Sequence, residues 1–84
     1  MFYVYILKSL KDTDLYIGST NDLKRRFKEH QEGKSFSTKF RIPFELVYYE
    51  AYKNEKDAHL REQSLKLRGN ARRSLKERIK RSLE

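Results

Sequence analysis

The strongest constraint on the fold is an unbroken apolar segment near the start of the chain, running from Phe2 to Leu7. Successive side chains of a β-strand point to opposite faces, so a strand that is apolar on both faces is typical of the centre of a sheet. A polar turn at residues 11–14 and a shorter apolar run at residues 15–18 follow. The pattern therefore predicts a β-hairpin whose first strand, residues 2–8, is central in its sheet.

A basic helix and a third strand come next in the sequence. Thr20 or Asn21 can cap this helix, and Gly33 is a good C-terminal stop. Its inner face is predicted from the spacing of apolar positions, which gives Leu23, Phe27 and His30. Residues 34–43 form a polar, basic loop, and residues 44–50 have the composition of a strand.

Two further helices complete the pattern. Asn54 can cap the second helix and Gly69 can end it, while Asn70 can cap a basic third helix over residues 70–84. In that third helix the apolar residues repeat every four positions, at Ala71, Leu75, Ile79 and Leu83. The order ββαβαα in 84 residues predicts one α+β domain, residues 1–84, with a small three-stranded antiparallel sheet flanked by helices.

The charge of the chain indicates a class of partner. Twenty Lys and Arg residues against 12 Asp and Glu residues give a net charge of +8. So large an excess on a small domain indicates a polyanion, most commonly nucleic acid, with an anionic membrane surface or a merely solubilising charge as the alternatives. The basic residues that we expect to contact nucleic acid are Lys24 and Arg25 in the first helix and Arg72, Arg73, Arg78 and Arg81 in the third.

Two features that the sequence lacks, cysteine and long apolar runs, limit the classes of protein and site that remain. The chain has no cysteine, which excludes disulfides and thiolate metal sites and fits a reducing compartment. No apolar run approaches the roughly 18 residues that a membrane span needs. We therefore expect a cytoplasmic protein with no membrane partner. Whether the protein has protein partners is left unknown by the sequence.

Two tyrosines and a glycine in the hairpin are candidates for chemistry. Tyr5 lies in the first strand and Tyr16 in the second. A phenol near a phosphate can hydrogen-bond it, orient a water molecule or act as a general base. Aromatic core packing is the alternative, which pattern alone favours. Gly18 lies where the second strand meets the helix and would let a phosphate approach the backbone, unless it serves the turn.

Three charged or titratable residues extend this set. Arg26 and His30 lie four residues apart on one side of the first helix, where a guanidinium can hold a phosphate and an imidazole can move a proton. A solvated surface and a half-buried helix end are the alternatives. Glu62 lies along an apolar stripe of the second helix, so it needs a metal ion or a cationic partner, such as Arg26 or Arg61.

The same residues resemble the GIY-YIG nuclease superfamily, in particular its small single-domain bacterial members. The matching runs are residues 3–5, 16–20, 23–30 and 61–66, in the right order and spacing within residues 2–68. The resemblance implies a three-stranded antiparallel sheet with flanking helices and one divalent metal ion, Mg²⁺ or Mn²⁺.

Site roles also follow from the resemblance. It assigns Tyr5 and Tyr16 to the two half-motifs, either of which activates the water. Arg26 matches the arginine that contacts the scissile phosphate, His30 matches a histidine found in part of the family, and Glu62 matches the metal ligand.

The activity that the resemblance implies is metal-dependent endonucleolytic hydrolysis of DNA, in structured or single-stranded regions and in repair or recombination. RNA is the alternative substrate, and a non-catalytic nucleic-acid-binding module is the alternative function. One departure from the family pattern is Tyr3, which stands where the family name begins with glycine.

Overall fold

The computed structural model describes all 84 residues and contains three strands and three helices. Their bounds are β1 Phe2–Ser9, β2 Leu15–Thr20, α1 Leu23–Gln31, β3 Phe44–Tyr52, α2 Glu55–Leu67 and α3 Gly69–Arg78. The sheet is antiparallel with strand order β2-β1-β3. The predicted α+β class, the order ββαβαα and the central position of the first strand are therefore confirmed.

The sheet separates two apolar clusters because β1 buries residues on both faces. Val4 and Ile6 point to one side, where they pack against β2, α2, α3 and the turn that follows α3. Their buried partners there are Ile17, Ala58, Leu65, Leu75 and Ile79. Tyr5 and Leu7 point to the other side, where they pack with Phe44 and the apolar face of α1, Leu23 and Phe27. The sheet thus lies between α1 on one face and α2 with α3 on the other.

A partly buried ionic cluster joins β3 to α2. The Glu50 carboxylate accepts hydrogen bonds from the Tyr48 hydroxyl at 2.6 Å and from the Tyr52 hydroxyl at 2.5 Å. The Arg61 guanidinium completes the cluster with an ion pair to Glu50 at 3.0 Å. Since Arg61 directly precedes Glu62 in α2, this cluster helps to fix the helix that carries the candidate metal ligand.

The first helix begins one residue later than the predicted caps allow. Asp22 is its N-cap, and the Asp22 side chain accepts a hydrogen bond from the Arg25 amide. The assignment to Thr20 or Asn21 was wrong because Thr20 is the last residue of β2, where its hydroxyl accepts from the Asp22 amide. Gly33 follows the helix with φ of 74°, a left-handed conformation that favours glycine, as predicted.

The junction between α2 and α3 is tighter than predicted. Asn54 caps α2 as expected, but α2 ends at Leu67, and the extended Arg68 alone separates it from α3. Gly69 is therefore the first residue of α3, and neither its role as a stop nor the cap at Asn70 was correct. The Arg72 guanidinium donates to the Leu65 and Lys66 carbonyls, and it thereby satisfies groups at the end of α2 that the one-residue break leaves without helical partners.

The third helix is also shorter than the predicted segment of residues 70–84. It ends at Arg78, and turns follow, with the Ser82 and Leu83 amides both donating to the Ile79 carbonyl. Leu83 still packs against the core, and the Lys8 ammonium donates to its carbonyl oxygen. The four-residue apolar spacing thus continues through turns after the helix has ended. No helix is long and apolar enough to cross a membrane.

Candidate active site

A cleft of about 800 Å³ crosses the end of β2 and lies between α1 and α2. Arg26 and Glu29 of α1 line one wall, Ala58 and His59 of α2 line the other, and Ser19 lies between them. Because neighbouring residues of β2 point to opposite faces of the sheet, this cleft connects the α1 side with the α2 side. Candidate residues from both sides can therefore meet one ligand.

Tyr5 is the centre of the predicted set on the α1 side. It is only 1% exposed, and its hydroxyl lies 2.8 Å from Nε2 of His30. The Tyr16 ring is close to both, with centroid distances of 6.4 Å to Tyr5 and 5.1 Å to His30. These three side chains form one contiguous aromatic group in the core beside the cleft.

Gly18 has a packing role toward Tyr5. The two residues are directly opposed in the β1–β2 pairing. A Cβ atom on Gly18 would lie 2.5 Å from the Tyr5 hydroxyl oxygen and 2.6 Å from Cζ, so no other residue leaves room for the phenol. Tyr5 fills the space above Gly18 on this face of the sheet. Packing against Tyr5 therefore explains the glycine without the predicted phosphate contact.

His30 is fully buried, and its two ring nitrogens are both occupied. Nδ1 lies 2.7 Å from Oγ1 of Thr38, and the Thr38 hydroxyl has the Ser35 carbonyl to donate to. Thr38 therefore accepts from Nδ1–H, which leaves Nε2 to accept from the Tyr5 hydroxyl. Burial, together with the nearby positive charge of Arg26, lowers the pKa of His30 to about 4, so the imidazole is neutral at pH 7.

The other four predicted site residues all influence the Tyr5 hydroxyl, by charge or by a hydrogen bond. Burial raises the pKa of Tyr5 to about 12, with further increases from the charges of Tyr16 and Glu62, while Arg26 lowers it. His30 provides the direct hydrogen bond. At neutral pH Tyr5 is therefore a phenol that donates to His30, with its oxygen lone pairs available as acceptors.

Arg26 is half-buried on the cleft wall, with its guanidinium already engaged. It forms an ion pair with Glu29 at 3.0 Å and lies 3.4 Å from the Ser35 hydroxyl. A half-buried arginine that lines a cleft and has a single carboxylate partner can exchange that partner for a phosphate, which offers two acceptor oxygens to its fork of donors.

Glu62 is 9% exposed and lies on the α2 side of β2. One carboxylate oxygen accepts from the Ser19 hydroxyl at 2.7 Å, and the other from the Lys66 ammonium at 2.9 Å. The cationic partners considered from sequence were wrong, because Arg26 pairs with Glu29 and Arg61 pairs with Glu50. Lys66 was overlooked, although its spacing of four residues from Glu62 is the spacing of helical ion pairs.

The donor set beside Glu62 fits a magnesium ion held mainly by its substrate. No group of three or more histidine, cysteine and acidic side chains gathers anywhere in the structure, so Glu62 is not part of an all-protein metal cage. Mg²⁺ is commonly bound through one or two carboxylates, with water and substrate phosphate as the other ligands. Glu62 can supply that carboxylate at the cleft once Lys66, which is half exposed, moves away.

The basic residues expected to contact nucleic acid fall into two groups. Lys24, Arg25, Arg73, Arg78 and Arg81 have exposed side chains, and Arg25 lines the cleft. Arg72 instead folds back onto α2, where its guanidinium donates to the Leu65 and Lys66 carbonyls at 3.0 Å each. The structure thus gives Arg72 a capping role in place of a free, outward-facing charge.

Comparison with known families decides the classification. The model of the GIY-YIG catalytic domain matches residues 1–80. The chain belongs to the GIY-YIG family. It is therefore a member of a nuclease family. The two half-motifs that contain Tyr5 and Tyr16 lie in the adjacent strands β1 and β2.

The relatives of this GIY-YIG chain are small UPF0213 proteins. It is 46% identical over 67 residues to one from Clostridium perfringens, covering 79% of this chain and 71% of that protein. It is 40% identical over 57 residues to one from Streptococcus pyogenes serotype M3, covering 67% of this chain and 61% of the relative, thus less than two thirds of that relative's length. The solution NMR structure of a UPF0213 protein from Bacillus halodurans is similar, with 38% identity, a TM-score of 0.55, and coverage of 89% of this chain and 82% of that one.

Proposed function

We propose that the protein is a divalent-metal-dependent endonuclease that hydrolyses phosphodiester bonds of DNA, in structured or single-stranded regions, in repair or recombination. The observation that carries the proposal is the group of Tyr5, Tyr16 and His30 beside a cleft lined by Arg26 and by Ser19, the hydrogen-bond partner of Glu62. The cleft thus has an arginine on its α1 side and a carboxylate next to it on the α2 side, held by the Ser19 hydroxyl. A phosphodiester with a metal ion uses both.

The roles follow from the chemistry of each group. Arg26 binds a non-bridging phosphate oxygen after releasing Glu29, since the phosphate competes for the same donors. Glu62 holds Mg²⁺ or Mn²⁺, and a divalent ion bound there supplies charge neutralisation at the scissile phosphate. Ser19 fixes the orientation of the Glu62 carboxylate through its 2.7 Å hydrogen bond.

The two tyrosines are proposed to orient the attacking water. Tyr5 donates to His30, and its lone pairs can accept a hydrogen bond from the water once substrate binding admits that water beside the 1% exposed phenol. His30 is a positioning residue here, because it holds the phenol without being exposed to the cleft itself. Tyr16 is partly exposed beside it and can accept from the same water.

A cleavage assay on a substrate panel tests this function. Labelled single-stranded, duplex and flap DNA, with matched RNA, are incubated with Mg²⁺ or Mn²⁺ and with EDTA. We expect product only with metal, and loss of at least about 100-fold in Glu62→Gln and Arg26→Ala, in line with the loss of a transition-state charge contact. Glu77→Gln, an exposed carboxylate of α3 outside the cleft, is the matched control and retains activity. Activity that survives both substitutions would place the chemistry elsewhere.

One observation supports a second candidate, a nucleic-acid-binding module without catalysis. Lys66 already neutralises Glu62, and Glu29 already neutralises Arg26, so the cleft is internally paired in the absence of ligand. Under this alternative the exposed basic residues bind phosphate in a salt-dependent manner. Tight, salt-sensitive binding without product under either metal would favour it.

A further inference from the structure

The loop between α1 and β3, residues 34–43, exposes two aromatic side chains beside the candidate active site. Phe36 is 80% exposed and Phe40 is 70% exposed, although phenylalanine has a strong preference for burial. A single exposed apolar residue is common and needs no explanation. Two rings on one short loop, in a chain with only five phenylalanines, call for a further observation.

That observation is a cation shared by the two rings. The Lys39 ammonium lies 5.1 Å from the centroid of Phe36 and 4.9 Å from that of Phe40, within cation–π distance of both. The loop has three basic and no acidic residues, and the Lys11 ammonium donates to the Phe40 carbonyl at 3.1 Å. The exposed surface is therefore aromatic and positive together, unlike a continuous apolar patch.

The loop is also anchored to the site itself. The buried Thr38 hydroxyl contacts His30 at 2.7 Å, and the buried Ser35 hydroxyl lies 3.4 Å from the Arg26 guanidinium. At the far end, the Arg41 carbonyl accepts from the Ser9 hydroxyl at 2.6 Å. The inner side chains of this loop, Ser35 and Thr38, thus contact Arg26 and His30 of the candidate site. Its outer side chains, Phe36 and Phe40, are exposed to solvent.

We propose that Phe36 and Phe40 form a stacking platform for unpaired nucleobases of the strand whose phosphate occupies the cleft. Every base has a π-face that stacks on an aromatic ring, and Lys39 lies where it can meet a neighbouring phosphate. Bases inside a duplex are already stacked on each other, so the platform selects substrates with unpaired bases. The inference rests on the proposed function for the identity of the ligand, but it concerns binding and not cleavage.

Binding is measured by fluorescence anisotropy of labelled 12-nucleotide strands in EDTA, which removes any metal-dependent cleavage. The double variant Phe36→Ala/Phe40→Ala should bind a single strand at least about fivefold more weakly than the wild type, and a blunt-ended duplex within about twofold. Leu67→Ala is the matched control, because Leu67 is also 80% exposed but lies at the end of α2. DNA and RNA strands form separate arms of the experiment.

An abasic strand separates base stacking from phosphate attraction. It retains the phosphates without the bases, so wild type and double variant should bind it equally. The inference is overturned if the double variant binds the single strand as well as the wild type, or loses the same factor on the abasic strand. It is also overturned if the substitutions leave strand binding intact and instead abolish binding to phosphatidylglycerol vesicles or a concentration-dependent dimer.

The two proposals fail by different results. Absence of cleavage under Mg²⁺ and Mn²⁺ would remove the nuclease function, while base-dependent binding through Phe36 and Phe40 in EDTA would still stand. Conversely, cleavage that requires Glu62, together with single-strand binding in EDTA that is unchanged in the double variant, would leave the nuclease and remove the platform.

Discussion

The substitution Gly18→Ala tests the geometry on which the site depends. The added Cβ would lie 2.5 Å from the Tyr5 hydroxyl oxygen and 2.6 Å from Cζ, and real Cβ atoms do not approach other atoms so closely. Tyr5 cannot swing aside freely, because it is 1% exposed and its hydroxyl is bonded to the buried His30. The ring must therefore shift, and its hydrogen bond to His30 must break.

The expected loss of stability follows from these contacts. Overpacking of a core costs about 1–3 kcal/mol, and a broken buried hydrogen bond adds about 1 kcal/mol. Replacing glycine within a strand returns about 0.5 kcal/mol through backbone entropy. The net loss is about 1.5–3.5 kcal/mol, a large part of the roughly 4–13 kcal/mol typical of 84 residues.

Urea unfolding followed by circular dichroism measures this loss as a lower midpoint at unchanged slope. Gly69→Ala is the matched control, because nothing lies within 4 Å of its added Cβ, and it should be neutral or slightly stabilising. In a Tyr5→Leu background the effect of Gly18→Ala should disappear. A change below about 0.5 kcal/mol in the wild-type background would show that Tyr5 does not lie over Gly18.

Three further predictions concern stability and binding. The pKa of His30 is about 4 in the folded state against 6.5 in the unfolded state, so as pH falls the unfolded chain binds the proton first. Up to about 3 kcal/mol of stability is therefore lost as pH falls from 6.5 to 4. The variant His30→Gln should flatten that part of the plot of urea midpoint against pH. Arg72→Ala should lower the free energy of unfolding by about 1–3 kcal/mol. Arg73→Ala should leave stability unchanged and reduce the slope of log affinity for nucleic acid against log salt by about one. Equal effects of the two substitutions on stability would contradict the capping role of Arg72. Glu50→Ala should cost about 1–3 kcal/mol because its arginine and tyrosine partners lose their acceptor. Glu77→Ala, in an exposed pair, should cost less than about 1 kcal/mol, as read from thermal unfolding.

The fold was predictable from sequence where a local pattern determines it. The two-sided apolar run of β1 predicts a central strand, since each of its faces is buried by a different set of helices. The junction between α2 and α3 was not predictable in the same way. Arg68 forms a one-residue break because Arg72, a tertiary partner, caps the preceding helix, and the local signals at Gly69 and Asn70 point elsewhere.

The candidate site shows the same division. Tyr5, Arg26 and His30 follow from strand alternation and helical spacing, and the Lys66 partner of Glu62 could have been found by its spacing of four. The contacts that set the chemistry join residues far apart in sequence. Ser19 is 43 residues from Glu62, so only the folded chain shows what orients the carboxylate.

The site depends most on the register of the hairpin. Gly18 leaves room for Tyr5 on one face of β2, and Ser19 holds Glu62 on the other. Because strand residues alternate between faces, one dipeptide determines both halves of the cleft, and a slip of one residue would exchange them. Ser19 would then oppose Tyr5 with a Cβ where none fits, and Glu62 would face a glycine without a hydroxyl. The turn at residues 11–14, which sets the pairing of Tyr5 with Gly18, is therefore as necessary to the site as the residues that line it.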